Sequence, residues 1–299
     1  MPRLPSIPIE RLIQEIGATY AESASRIMAI LRELHPENYH PTAATVATHR
    51  IRSIVRGLDA EAVNWAAASI KTAYIESKGV TRVKLEAIGA KPSRKYDQAR
   101  HSQAIDKRAR AAARYFLDAN ATILATAGKY LSALAHAREK LDVYREEAAI
   151  EAFTSAEARK LVDAVIARGA AEHVPAQGVG RMILDRLMGI LGETSFIEIN
   201  GRNYNLKAYS ELVARTTMRE AQTDATKELC REYDNDLVQY SQHDSPCAEC
   251  AQYEGEIYSL SGESPDYDEL PPEAEPPTHP NCEHNLNPVS ENSLRWSSA

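Results

Sequence analysis

The chain has 299 residues, 43% of them hydrophobic, with 35 basic and 42 acidic side chains and a net charge of −7. That apolar share sustains a sizeable core in one or two domains and excludes a disordered chain. No run approaches 18 uninterrupted apolar residues, which excludes a membrane-spanning helix, and Arg3, Glu10, Arg11, Glu15, Glu22, Arg26, Arg32 and Glu33 exclude the apolar core of a signal peptide. Four cysteines are too few for a secreted disulfide scaffold and point to a reducing compartment.

Net charge is divided unevenly. Residues 1–150 carry 23 basic and 16 acidic side chains, hence +7, whereas residues 151–299 carry 12 and 26, hence −14. The last 49 residues alone contribute −9. Such polarity predicts two faces or two partners.

In chain order, Ile9, Leu12, Ile13, Ile16, Tyr20, Ile27, Leu31 and Leu34 recur at helical spacings, and Pro36 closes the pattern. A second alanine-rich helical stretch, Thr42 to Ser77, is expected to break near Gly57 and Leu58. Gly79, Gly89 and Pro92 mark 79–93 as a loop or short hairpin.

The longest pattern runs from about Ala99 to Ala148, through Ile105, Ala112, Phe116, Ala119, Ile123, Ala127, Tyr130, Leu134 and Leu141. About 50 residues at 1.5 Å each make a rod of roughly 75 Å, which predicts a coiled-coil-like arm. The alternative is two ordinary helices joined near Gly128. Two more helices are expected over about Ser155–Arg168 and Gly178–Gly192.

After Gly192 the period changes. Asn200-Gly201 is a hairpin turn pair between short strands, followed by a helix over about Leu206–Tyr233. Leu237–Tyr240 and Glu256–Ser259 are short strand candidates. Residues 261–278 hold six acidic residues and five prolines, which predicts an exposed, irregular acidic loop. The chain therefore reads as mainly α. Residues 1–192 form an extended helical region with a long central helix, and 193–299 form a small α+β zinc-binding module.

The chemistry concentrates in that module. Cys247 and Cys250 form a C-x2-C pair, and His279 and Cys282 form an H-x2-C pair. Two thiolate or imidazole donors on each of two short turns are the set that closes a tetrahedral structural zinc site, with His243 and His284 as alternates to His279. A Cys247–Cys282 or Cys250–Cys282 disulfide and a reduced, metal-free loop are the competing readings. Cys230 reads as a small buried residue within a helix.

Five segments occur in an order that is diagnostic together. They are Gly201-Arg202-Asn203-Tyr204-Asn205-Leu206-Lys207-Ala208-Tyr209, Glu211 to Thr217, His243 to Cys250, Tyr253 to Gly262, and Pro277-Thr278-His279-Pro280-Asn281-Cys282-Glu283-His284. In them the chain resembles the phage minor capsid proteins related to phage Mu F-like head morphogenesis proteins, closest to the minor capsid protein 2 type. The resemblance covers about residues 198–289, and the chain departs from it in carrying Glu283 where relatives carry Arg. It implies a low-copy virion protein of a tailed phage or prophage, at the portal vertex of the head, made in the host cytoplasm. Head assembly or genome delivery is the implied role. The implied partners are portal protein and also major capsid or scaffolding protein, with no membrane and no enzymatic activity.

Residues 78–114 contain eleven basic against three acidic side chains. Within them Lys91, Arg94, Lys95, Arg100, Lys107, Arg108, Arg110 and Arg114 are the candidates for contact with packaged DNA phosphates or an acidic partner. A solvated loop and helix start is the plainer reading. The enzymatic alternative, a zinc-assisted HNH-like nuclease, rests on His284-Asn285-Leu286-Asn287-Pro288, but no histidine follows His284 to complete it. Gly178-Val179-Gly180 has too few glycines and no preceding strand for a phosphate loop, and no other catalytic motif is present.

Overall fold

A computed structural model describes residues 9–36, 39–146, 163–168, 179, 181–183, 185, 197–199, 202–243 and 247–291. The chain is mainly helical: α1 (Ile9–Arg32), α2 (Pro41–Ala87), α3 (Gln98–Glu146) and α4 (Leu206–Glu232). Residues 163–168 and 181–183 are also helical, and the rest of the two helices expected over 155–192 lies outside the described residues. The strands are β1 (Ile197–Ile199), β2 (Arg202–Tyr204), β3 (Leu237–Tyr240), β4 (Ile257–Ser259) and β5 (Leu286–Pro288).

Helix ends follow local chemistry. The Asp97 carboxylate accepts from the Arg100 N–H at 3.1 Å, and the Asn205 side-chain oxygen accepts from the Ala208 N–H at 2.6 Å, so each caps the helix that follows. α2 ends at left-handed Gly89 (φ 81°), where the Ala90 N–H bonds the Leu85 carbonyl and the Gly89 N–H bonds the Glu86 carbonyl. That paired pattern satisfies the last carbonyls. Asp234 (φ 54°) ends α4 the same way, with the Asn235 N–H on the Cys230 carbonyl.

Two expectations are corrected. α2 does not break near Gly57, and residues 79–87 are its last turns rather than a loop. A glycine inside a helix costs about 1 kcal/mol. The buried row Ile51, Val55, Leu58, Ala62, Ala66, Ile70, Ala73 and Tyr74, continued by Thr81 and Leu85, outweighs two such losses. α3 is continuous through Gly128, so it is not two helices joined there, and its periodic face, Ala112, Phe116, Ala119, Ile123, Ala127, Tyr130 and Leu134, is buried.

The chain gathers into two compact units: Met1–Ile16, Ala62–Tyr115 and Ser210–Ala299 in one, and Gly17–Glu61 and Phe116–Tyr209 in the other. The second unit packs Tyr20 against Phe116 with ring centres 5.6 Å apart, and Ile27, Leu31, Val55 and Ile123 are buried within that unit. Asn120 donates to the Asp59 carboxylate at 2.8 Å within it.

In the first unit α4 is central. Its Thr226 hydroxyl meets that of Thr81 at 3.0 Å, and the Gln222 carbonyl accepts from Ser77 at 2.9 Å. Beyond α4 lies a three-stranded antiparallel sheet in the order β4–β3–β5, with Val238 opposite both Tyr258 and Pro288. β5 has no counterpart among the strand candidates of the sequence. It is an edge strand, the position where a proline without an N–H is tolerated. A separate hairpin pairs Ile199 with Arg202, as the Asn200-Gly201 turn predicts. Leu85, Leu229, Cys230, Tyr233, Val238, Tyr240, Cys250, Cys282 and Leu286 form one core between helices and sheet.

The acidic segment is less irregular than its composition implies. Glu263, Asp266, Asp268 and Glu269 are exposed as expected, but Pro272–Ala274 form a 3-10 turn with Ala274 buried. Its path is fixed by the Ser259 N–H on the Asp268 carbonyl, the Leu270 N–H on the Ser259 carbonyl, and Lys227 against Glu275 at 2.6 Å.

Candidate metal centre

Two short turns carry the sulfur donors. In the first, the Cys250 and Ala251 N–H groups both donate to the Cys247 carbonyl, at 3.1 and 2.9 Å. In the second, the Cys282 N–H donates to the His279 carbonyl at 3.1 Å, and Asn281 takes a left-handed conformation with φ 62°. Each four-residue turn therefore presents its first and last side chains toward one point. The sheet then brings the turns together, since β3 pairs with both β4 and β5.

The donors form two overlapping triads, Cys247, Cys250 and His279, and Cys250, Cys282 and His284, each with its ligand atoms within 4.8 Å of one another. Cys250 belongs to both. His279 Nε2 lies 3.1 Å from Cys247 Sγ and 3.0 Å from Cys250 Sγ. Cys250 Sγ and Cys282 Sγ are 3.9 Å apart, close to the roughly 3.8 Å edge of a tetrahedron with 2.3 Å zinc–sulfur bonds. All four cysteines, including buried Cys230, are free thiols.

Both histidines have their tautomers set by outer partners. His279 Nδ1 is 2.8 Å from the Pro280 carbonyl, an acceptor only, so Nδ1 carries the proton and Nε2 turns its lone pair to the sulfurs. His284 Nε2 is 2.6 Å from the Glu254 carboxylate and donates to it, which leaves Nδ1, 3.6 Å from Cys282 Sγ, with its lone pair available to a metal. A carboxylate or carbonyl behind each imidazole is the usual outer arrangement of a metal-binding histidine. His243 stands apart: its ring meets His284 edge-on with centres 4.4 Å apart, and its backbone N–H donates to the Glu254 carboxylate.

The thiols differ sharply. Burial raises Cys282, but the backbone N–H of His284 and the hydroxyl and N–H of Thr278 prevail and bring it down to about 6. Cys250 is pushed up to about 11, chiefly by burial. Cys247 is held below its ordinary value, first by the Cys250 backbone N–H. Burial opposes the charged form of His279, yet the Pro280 carbonyl and the Cys282 and Cys247 sulfurs raise it. A buried thiol that resists ionisation beside two acidic neighbours is the setting in which a bound dication deprotonates the whole set. The residues fit a thiolate-binding metal ion.

Glu254, Thr278 and Tyr240, whose hydroxyl lies 4.0 Å from Cys282 Sγ, have no spacing signature in the sequence. Gly255 does have a local requirement. It holds φ 80°, and a Cβ there would lie 2.6 Å from the Gln242 side-chain nitrogen. Gly255→Ala is expected to cost about 1–2 kcal/mol, measured as a lowered midpoint in urea.

The basic candidates separate into two groups. Arg108 is enclosed by Asp224 at 2.6 Å and Glu220 at 2.9 Å, Arg100 pairs with Glu228, and Arg94 lies 3.3 Å from Asp234. Lys91, Lys95, Lys107, Arg110 and Arg114 are exposed. Three of the eight candidates thus pair with acids on or just after α4, and of these three Arg108 alone is largely withdrawn from solvent.

No described helix is long and apolar enough to cross a membrane. No curated protein and no solved structure matches the chain. Residues 187–294, the stretch that holds α4, the sheet and every donor of the metal centre, match the family model of phage minor capsid protein 2, which bears out the resemblance to the phage minor capsid proteins.

Proposed function

We propose that this protein is a structural minor component of a tailed-phage or prophage head, built from long helices and a C-terminal module closed by one structural zinc. The family match over the module is the observation that carries the first half of this reading. The second half rests on the two imidazole tautomers, each fixed with its free nitrogen toward the cysteine sulfurs. Cys247, Cys250 and Cys282 would hold the ion with His279, and His284 is the alternative fourth donor. Zinc would contribute cross-linking of the two turns and no reaction.

Within the same reading the protein acts in the virion, at the portal vertex, in head assembly or genome delivery. Portal protein is the proposed partner, with major capsid or scaffolding protein as further contacts. The exposed residues Lys91, Lys95, Lys107, Arg110 and Arg114 are the proposed points of nonspecific contact with packaged DNA. The nuclease alternative is not favoured by the site. His284 is 5% exposed and its Nε2 is occupied by Glu254, so this imidazole is not presented to a phosphodiester. Co-expression with the portal protein of the same phage tests the reading: a complex stable through size exclusion is expected, and separate elution at every salt concentration would overturn portal association.

A further inference from the structure

Two arginines one turn apart on α4 reach the turn that carries His279, Cys282 and His284. Arg215 donates to the Asn281 side-chain oxygen at 3.0 Å, and Arg219 donates to that of Asn285. Positions four apart share one helix face, and the two asparagines are also four apart, so a pair of parallel bonds brackets Cys282, Glu283 and His284. Asn285 is itself fixed to β3's continuation: its N–H donates to the Ser241 hydroxyl at 3.0 Å and its carbonyl accepts from the Ser241 N–H at 2.9 Å.

The two arginines differ in electrostatic situation. Arg215 is a third exposed and has a carboxylate, Glu10, at 3.5 Å. Arg219 is largely withdrawn from water, and among the described residues no carboxylate lies within ion-pair distance of it. Burial opposes its charge, and the anions that favour it are Cys282 and, less strongly, Glu283. A buried guanidinium with only a neutral amide oxygen as hydrogen-bond partner is costly unless negative charge lies nearby. Three thiolates and one imidazole around a dication leave a net charge of −1, which supplies it.

We infer that Arg219 is the counter-ion and positioning residue of the metal centre, balancing the negative charge of the metal–thiolate set while its bond to Asn285 holds the Cys282–His284 turn. This inference rests on the zinc reading above. Arg215 holds the Asn281 end of the same turn from a more solvated position and contributes less. Arg219 is not a ligand; it acts through Cys282 and Asn285.

The test is competition for zinc between the full-length protein and a chromophoric chelator, for the wild type, R219Q, R219K and R215Q. Outer partners of metal ligands are worth about 10- to 100-fold in affinity. R219Q is expected to keep one zinc per chain but release it at least 10-fold more readily, R219K to recover most of the loss, and R215Q to change it by less than R219Q. Raised salt should narrow the gap between wild type and R219Q. If R219Q does not fold, N285D replaces it: a carboxylate beside Arg219 satisfies the guanidinium locally and should weaken zinc binding. A wild type that takes up no zinc overturns the zinc reading, and this inference with it. A wild type that binds zinc with R219Q or N285D unchanged overturns the counter-ion role alone.

Discussion

Stripping metal from the full-length protein is expected to unfold the β4–β3–β5 sheet while most of the helical signal persists. The sheet has strands of three or four residues, too short to stand without support. Apparent zinc binding in small structural sites reaches about 10–16 kcal/mol, comparable to the whole stability of a typical domain. The donors flank the two ends of the acidic segment, so if they hold an ion its loss frees both. Hydrogen exchange over residues 237–259 and 282–288, read against far-UV circular dichroism, measures this directly. Cys250→Ser should match chelation, because Cys250 belongs to both donor triads, whereas His243→Ala should leave protection nearly intact. Unchanged exchange after chelation would mean that the sheet stands without metal.

The second large effect is expected at Arg108. Its side chain is 19% exposed, and its guanidinium lies between the side chains of Glu220 and Asp224, at 24% and 17%. Arg108→Ala leaves two carboxylates facing each other in a half-dry setting, and removing one partner of such a pair costs about 3 kcal/mol or more. The loss should depend on pH. Burial already raises Glu220, with Arg108 opposing that rise and Asp224 adding to it. Without the arginine the carboxyl rises further. An acid whose folded value lies above its unfolded one binds a proton on folding, so stability is gained as pH falls through that window. The deficit of Arg108→Ala should therefore be larger at pH 7 than near pH 5, measured by urea unfolding. The triple change R108M/E220Q/D224N should lose much less than Arg108→Ala at pH 7. A deficit below about 1 kcal/mol, equal at both pH values, would class these contacts with solvent-screened surface pairs.

What the sequence discloses depends on the range of the forces involved. α1, α3 and α4 are legible because their apolar residues recur at helical spacing over 24, 49 and 27 residues. The interruption expected in α2 fails because a glycine's local preference of about 1 kcal/mol is outweighed by a long buried face. β5 is invisible in advance: Leu286-Asn287-Pro288 has only three residues, ends in proline, and gains its identity by pairing with β3. Such pairing joins positions about 48 residues apart, which no local pattern encodes.

The centre divides along the same line. Cys247, Cys250, His279 and Cys282 announce themselves by spacing, since each pair sits on one turn. The approach of His284, ahead of His243, follows from the β5 edge and from Glu254, 30 residues away. Arg215 and Arg219 look like ordinary helix-surface residues until the fold lays Asn281 and Asn285 beside them. The +8 charge of 78–114 is also reread by the fold, because Arg94, Arg100 and Arg108 are paired with acids on or just after α4. The net charge of the chain gives no hint of that pairing.

Native mass spectrometry of the full-length protein, purified without chelator, reads metal occupancy chain by chain. One zinc ion per chain is expected in the wild type and none in Cys250→Ser. A wild-type protein that carries no metal and takes up none when zinc is supplied in excess would contradict the zinc reading.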